Sequence, residues 1–302
     1  MAVAAPQTEP LLVESARAAA AAASPPALQP LLDRYRLALA TVGNDGSYKR
    51  FPPAAAALQD EMLDAFGGTA FAAAHAGLMV EAIADFAGHA PPDPYPPSII
   101  AEFERAFARI LHKIAAADWT GYAGRDDRLW KDFGLARQRV FPASAWVVTP
   151  DAGYDRGFLL KGGLGQFLTA LPYMRGNDHW LTCNLNEFEK HRFNEAGFRE
   201  LIRLLADVLR VRPRLSGLFL GASWLYSPVL PRISPRLDFH RRLALPGGAR
   251  IFFVQPGGAD SMALIASETR RQAFADGRYR PDDYILIWRR DALIAWADAQ
   301  AA

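Results

Sequence analysis

The stretch from His179 to Leu237 constrains the fold most, because its residue pattern switches between strand and helix periods within one short segment. Trp180 to Leu185 is an apolar run of strand length, flanked by Asp178 and His179 on one side and by Asn186 and Glu187 on the other. Asn194 then stands where a helix N-cap belongs, and Phe198, Leu201, Ile202, Leu205, Val208 and Leu209 recur at helical spacing. Arg210 and Arg212 close that helix in the sense its dipole favours. Leu215 to Leu220 with Gly221 forms a second strand, and Ser223-Trp224-Leu225-Tyr226-Ser227-Pro228 turns the chain out of the sheet. Polar and titratable groups gather at the strand ends, where mixed α/β proteins tend to place chemistry.

The texture on either side of residues 135–140 differs. Upstream, alanine-rich helical patterns dominate: one from Leu28 to about Ala40, then Ala54 to Phe66 and Ala70 to Phe86, separated by Gly67-Gly68-Thr69. Between the first and second, Gly43 to Gly46 reads as a turn, and Ser47 to Pro53 as an extended basic connector. The prolines from Pro91 to Pro97 make a rigid bend, after which Ser98 is the expected cap of a helix towards Ala117. His75, His89 and His112 lie in or beside these helices without a carboxylate at metal-ligand spacing, and read as packing or surface residues. The segment Asp118 to Ala136, with Asp126 and Asp127, reads as a solvent-facing loop.

Downstream, Arg139 to Phe141 and Ala145 to Thr149 are β-type runs. Tyr154 to Gly157 leads to Phe158-Leu-Leu-Lys-Gly-Gly-Leu-Gly165, a strand-like run into a glycine turn that matches no complete phosphate-loop signature. Leu237 to Leu245, Pro246-Gly-Gly248 and Ala249 to Val254 suggest a hairpin, Ala259 to Asp276 a helix, and Tyr284 to Trp288 a strand. The expected class is α+β: a flexible Ala/Pro-rich tail over 1–27, a helical N-terminal region over 28–136, and over 137–302 a mixed, mostly central sheet flanked by helices.

Composition narrows the function classes. At 302 residues with 51% hydrophobic and 22% charged residues the chain is globular, and a net charge of +2 is small for a protein that grips nucleic acid through phosphates. Cys183 is the one cysteine, so neither an intrachain disulfide nor a thiolate zinc site is expected, which suits a reducing cytoplasm. No stretch of about 18 uninterrupted apolar residues is present, and the N-terminus lacks the basic start of a signal peptide, so no membrane span is expected.

The run HWLTCNL, followed by a helix and then GASWLYSPVL, resembles the C-terminal part of bacterial Gcn5-related (GNAT-like) N-acyltransferases, over roughly residues 140–256. Those domains often carry Ser-Trp-Leu followed by Asp-Pro-x-Leu, and Ser227 stands here in place of the aspartate. The resemblance implies transfer of an acyl group from a thioester co-substrate, acyl-CoA or an acyl carrier, to an amine of a small molecule or peptide, with no bound cofactor. It implies that Tyr226 is the general acid, with Glu187 or His179 as base, directly or through water. Arg192, Asn194 and Gly197 correspond to the donor's diphosphate loop, although only Gly197 of the family's glycines is present. Ser223 and Trp224 would face the reacting group. Between Glu189 and Arg250 the sequence carries twelve Lys or Arg against five Asp or Glu, an excess that would attract an anionic donor. Two other readings remain: a metal-dependent enzyme using His179, Glu187 and His191, and a non-catalytic accessory protein of acyltransferase-like shape.

Overall fold

The computed structural model describes residues 6, 8–40, 48–49, 51–86, 88, 95–153, 156–173 and 179–301. The turn expected at 43–46, Arg50, His89, residues 91–94, Tyr154, Asp155 and Asp178 lie outside them. The chain forms an α+β protein of two compact units, one made of residues 1–150 with 185–190, the other of 151–184 with 191–302.

The first unit is built from α1 (Pro10–Ala23), α2 (Gln29–Ala40), α3 (Pro53–Ala84), α4 (Pro97–Ala115), α5 (Asp127–Ala136), β1 (Phe141–Ala143) and the start of β2 (Trp146–Ala152). The alanine-rich segment before residue 27 is therefore a helix and not a flexible tail. Proline at its first position presets the helical φ, and Val13, Ala16 and Ala20 are buried at helical spacing. α3 bends where expected, at Gly67, whose φ of 77° suits glycine. At Gly68 a Cβ would come within 2.4 Å of the Ala123 carbonyl oxygen, so the small residue lets the 117–126 connection lie against the helix. α3 is long and apolar enough to cross a membrane by composition, but 67% of its apolar window is buried inside the protein, as befits a core helix.

Two further expectations fail in this unit. α4 begins at Pro97, so Ser98 sits inside its first turn and not at its cap. The segment read as a solvent-facing loop ends in α5, capped by Asp126, whose carboxylate accepts the Arg128 N–H at 2.8 Å. α5 carries buried Lys131 and Asp132 inward, and each is answered. Asp132 accepts two bonds from the Arg109 guanidinium, at 2.9 and 2.5 Å, and one from the Tyr122 hydroxyl at 2.5 Å. Arg109 in turn stacks on Phe188 and pairs with Glu189 at 3.3 Å. Between β1 and β2 a two-residue turn places Ser144 at a φ of 55°, and the buried Glu102 carboxylate accepts its N–H at 3.1 Å.

His75 is fully buried in this unit, packed against Phe71, Trp130 and Phe133. Its Nδ1 lies 2.9 Å from the Phe71 carbonyl oxygen and so carries the hydrogen. Its Nε2 then accepts from the Tyr35 hydroxyl at 3.1 Å, whose oxygen accepts from Gln59 at 2.7 Å. The chain of bonds closes only around a neutral imidazole.

The second unit holds α6 (Gly163–Ala170), β3 (Trp180–Leu185, all but Leu185), α7 (Glu195–Val211), β4 (Gly217–Ser223), α8 (Leu230–Ile233), α9 (Phe239–Ala244), β5 (Arg250–Gln255), α10 (Met262–Ile265), α11 (Glu268–Ala275), β6 (Asp283–Arg289) and α12 (Arg290–Ala301). Its strands lie in the order β3-β4-β6-β5; β3 and β4 are parallel and the other neighbours antiparallel. A parallel pair needs a long crossover, and α7 supplies it, burying Phe198, Leu201, Ile202, Leu205, Val208 and Leu209 as its sequence period requires. The expected strand at Leu237 to Leu245 is instead α9: Phe239, His240, Leu243 and Ala244 are its buried positions, a helical spacing that an alternating reading cannot produce. The single helix expected over Ala259 to Asp276 breaks into α10 and α11, with Ser267 capping the second by accepting from Arg270 N.

His240, stacked on Phe239 and buried beside Phe198, is the second unit's counterpart of His75. Burial lowers both imidazoles to about 4 from the usual 6.5. Both are neutral in folded and unfolded chains above about pH 6.5, so their contribution is flat there. Below it the unfolded chain takes up protons that the fold refuses, until the folded value is reached. Each unit should lose about 3 kcal/mol of stability between roughly pH 6.5 and pH 4, read from urea unfolding at a series of pH values. Asp132→Asn, which takes from Arg109 the buried carboxylate that accepts both its guanidinium bonds, should cost the first unit about 3 kcal/mol at neutral pH in the same assay.

Candidate functional site

β4 is paired very differently on its two sides. Towards β6 the register runs from Gly217 opposite Arg289 to Ser223 opposite Tyr284. Towards β3 it covers Leu181 with Leu218 and Thr182 with Phe219, after which both strands continue but no longer pair with each other. One extra residue of β4 lies between the Leu220–Leu286 and Ser223–Tyr284 pairs, a β-bulge that re-aims the strand at this point. The result is a gap within the second unit, bordered by Cys183 and Asn184 of β3 and by Leu220 to Ser223 of β4. Backbone N–H and C=O groups on this inner edge of β4 are available to an extended amide-bearing ligand, the mode by which peptides add to a strand.

Tyr226 stands just past this gap. Ser223 ends β4 and accepts the Leu225 N–H through its hydroxyl at 3.2 Å, starting a helical turn, Trp224–Tyr226, that carries the tyrosine inward. The residue is buried, and its hydroxyl makes no hydrogen bond among the described residues. Burial, and secondarily the neighbouring Cys183, raise its pKa far above the ordinary tyrosine value. Tyr226 is therefore a neutral phenol. Burial also pushes the Cys183 thiol up, which keeps it protonated and a poor nucleophile.

Within the second unit, His179 is not brought to Tyr226. His179 precedes the opposite end of β3, and its carbonyl oxygen accepts the Ser216 N–H at 2.8 Å. At strand rise it lies about 13 Å along β3 from Cys183, too far to share a proton with Tyr226. Glu187 belongs to the first unit, where both its oxygens take the buried Lys131 ammonium, at 2.9 and 2.8 Å. The same ammonium meets the Leu185 carbonyl at 2.5 Å and Asp127 at 2.6 Å. Within the first unit Glu187 is an anchor for a buried cation. Among the described residues no three His, Cys, Asp or Glu side chains gather as a metal site, so His179, Glu187 and His191 do not form the centre considered from the sequence.

The expected diphosphate loop is also spent on structure. Asn194 caps α7, its Oδ1 accepting the Gly197 N–H at 2.9 Å, and its Nδ2 donates to the His191 carbonyl at 3.1 Å. Arg192 pairs with Glu200 at 2.7 Å. Glu195, in the first turn, already places a carboxylate at the positive end of the helix, held by Arg199 and Arg242. A phosphate at the Gly197 N–H would have to displace the Asn194 side chain.

Ser223 and Trp224, by contrast, line a cavity of about 580 Å³ at the end of β4, together with Gln255, Asp260 and Asp283. Trp224 is held from its other side by the Arg270 guanidinium, 4.4 Å from the ring centre. Asp260 and Asp283 were not singled out from the sequence, whose only signal for them is the turn-forming Pro256-Gly257-Gly258 and Pro281 beside them.

No protein-family model matches the chain, and no curated protein matches it. A solved structure described as an acyltransferase in complex with decanoyl-CoA is similar to it, with a TM-score of 0.49 and 15% identity over 95% of this chain and 89% of its own. No residue role is carried over from it.

Removing the α7 cap with Asn194→Ala should lower stability by about 1 kcal/mol, and Asn194→Asp should restore most of it. Unfolding by denaturant reads both.

Proposed function

We propose that the second unit is an N-acyltransferase domain that accepts an acyl thioester, acyl-CoA or an acyl-carrier thioester, in the β3–β4 gap and delivers the acyl group to an amine. The observation that carries this reading is Tyr226: a buried, neutral phenol with an unspent hydroxyl, placed just past the point where two parallel strands part. The resemblance of HWLTCNL and GASWLYSPVL to Gcn5-related acyltransferases, in which a tyrosine at this place acts as general acid, supports the same role.

In this reading the amide arm of the donor pairs with the free edge of β4, and the acceptor enters the cavity of Ser223 and Trp224. Asp260 and Asp283 favour a cationic amine there. The amine attacks as its free base; the C–N bond forms, the C–S bond breaks, and the proton shed by nitrogen leaves to water in the cavity. Tyr226 gives its proton to the departing sulfur and recovers one from solvent. The acyl length and the acceptor follow from this site, not from Arg192 to Gly197, whose groups are occupied by the helix cap.

Tyr226→Phe should lower turnover of an acyl-CoA with a primary amine by about 10²-fold or more, read as thiol release. Its stability should hardly change, since no protein group loses a hydrogen bond. His179→Ala should leave turnover at the wild-type level. Turnover unchanged in Tyr226→Phe would remove the general acid and with it this mechanism.

A further inference from the structure

At the end of β3 and β4 opposite Tyr226, the second unit contains another cavity, of about 300 Å³. It lies where β6 passes into α12, and its wall includes Arg214, Ser216, Arg289, Arg290 and one carboxylate, Asp291. Arg289 and Arg290 are neighbours on this wall, and adjacent guanidinium groups repel one another unless an anion joins them. Elsewhere in the unit arginines are commonly answered by carboxylates: Arg192 by Glu200, Arg210 by Asp298, Arg241 by Asp238 and Arg280 by Asp282.

The two arginines at the β6–α12 junction are not. Arg289 is exposed, and its side chain makes no hydrogen bond or ion pair among the described residues. Arg290 reaches only the Pro213 carbonyl, at 3.4 Å, and its Nε is buried without an acceptor. Its backbone is fixed, because its N–H donates to the Ser216 carbonyl at 2.9 Å and so seats the first residue of α12 beside the start of β4. The guanidinium donors are thus held on a rigid junction while remaining unspent. The N-terminal turn of α12 adds positive dipole on the same side.

We propose that this cavity binds a phosphate-type dianion, free or as a phosphomonoester, through Arg289 and Arg290. A tetrahedral dianion suits two forked donors at once, which a monoanion does less well. The cavity exceeds the ion itself, leaving room for a small organic stem. The site is separate from the acyl-transfer gap, since the seven residues of β4 span roughly 20 Å between them.

The full-length protein is titrated by calorimetry with inorganic phosphate and, separately, with phenyl phosphate, in chloride buffer of constant ionic strength. Saturable binding is expected; tighter binding of phenyl phosphate identifies an ester as the ligand class, and tighter binding of the inorganic ion identifies the free anion. Arg289→Glu, an exposed position that the fold does not use, should weaken binding by about tenfold or more while leaving acyl transfer at the wild-type rate. Arg290→Gln should weaken it likewise. Absence of saturable binding of either probe to the wild-type protein, or unchanged affinity in Arg289→Glu, would overturn the assignment.

Discussion

The unequal pairing of β4 is the constraint from which the rest of the second unit follows. β6 holds β4 along its length, through the bulge and up to Ser223, so β4 does not need β3 to keep its place. Gly217 makes the close approach possible at the start of that pairing, where a Cβ would stand 2.2 Å from the Trp288 carbonyl oxygen, and Trp288 is itself fully buried with its indole N–H on the Gly247 carbonyl. Because one neighbour secures the strand, the other can leave after two paired positions. A free strand edge on the outside of a sheet invites aggregation, whereas this one is short and lies between strands. The edge of β4 beyond Phe219 is left without a strand partner on the β3 side.

The first unit closes its buried charged groups on one another. Asp132 is closed by Arg109 and Tyr122, Lys131 by Asp127, Glu187 and a carbonyl, and Glu102 by the N–H of a left-handed turn residue. Such groups are expensive to bury and add modest net stability, but each is costly to orphan. Their effect is to tie α4, α5, the β1–β2 turn and the returning 185–190 segment to single relative positions. Buried atoms without a hydrogen-bond partner still occur in both units, as at Gln138 Oε1, Tyr279 Oη and Arg290 Nε.

How much of this the sequence made legible depends on whether a residue's partner is near in the chain. The period of α7, the Asn194 cap, the bend at Gly67 and both strands flanking α7 rest on neighbours within a turn or two, and all can be read from spacing. Lys131 and Glu187 are 56 positions apart, and nothing local in either distinguishes a buried anchor from a surface lysine and a candidate base. The same holds for Arg109 with Asp132, so a helix built around buried charge reads as a polar loop. α9 reads as a strand for a different reason: Leu243 to Leu245 beside Pro246-Gly-Gly248 carries a genuine turn signal, and only the buried pair Phe239 and His240 restores the helical period. Asp260 and Asp283 approach one cavity through the β5–β6 connection, whose fold no local pattern specifies.

Residue type alone nominated three acid–base groups and three phosphate-loop positions, and hydrogen-bond bookkeeping separates them. A donor can serve a helix cap or a phosphate, but the Gly197 N–H already serves Asn194. A carboxylate can take a proton from an amine or neutralise a buried ammonium, and Glu187 gives both oxygens to Lys131. The chemistry these residues could perform is real in each case, and the fold has used it for something else. Tyr226 differs because the fold needs its ring, for packing beside His240, and makes no use of its hydroxyl. A phenylalanine would pack as well, so the proposed role of this hydroxyl rests on its place beside the β3–β4 gap, where a departing thiolate would meet it, and not on its burial.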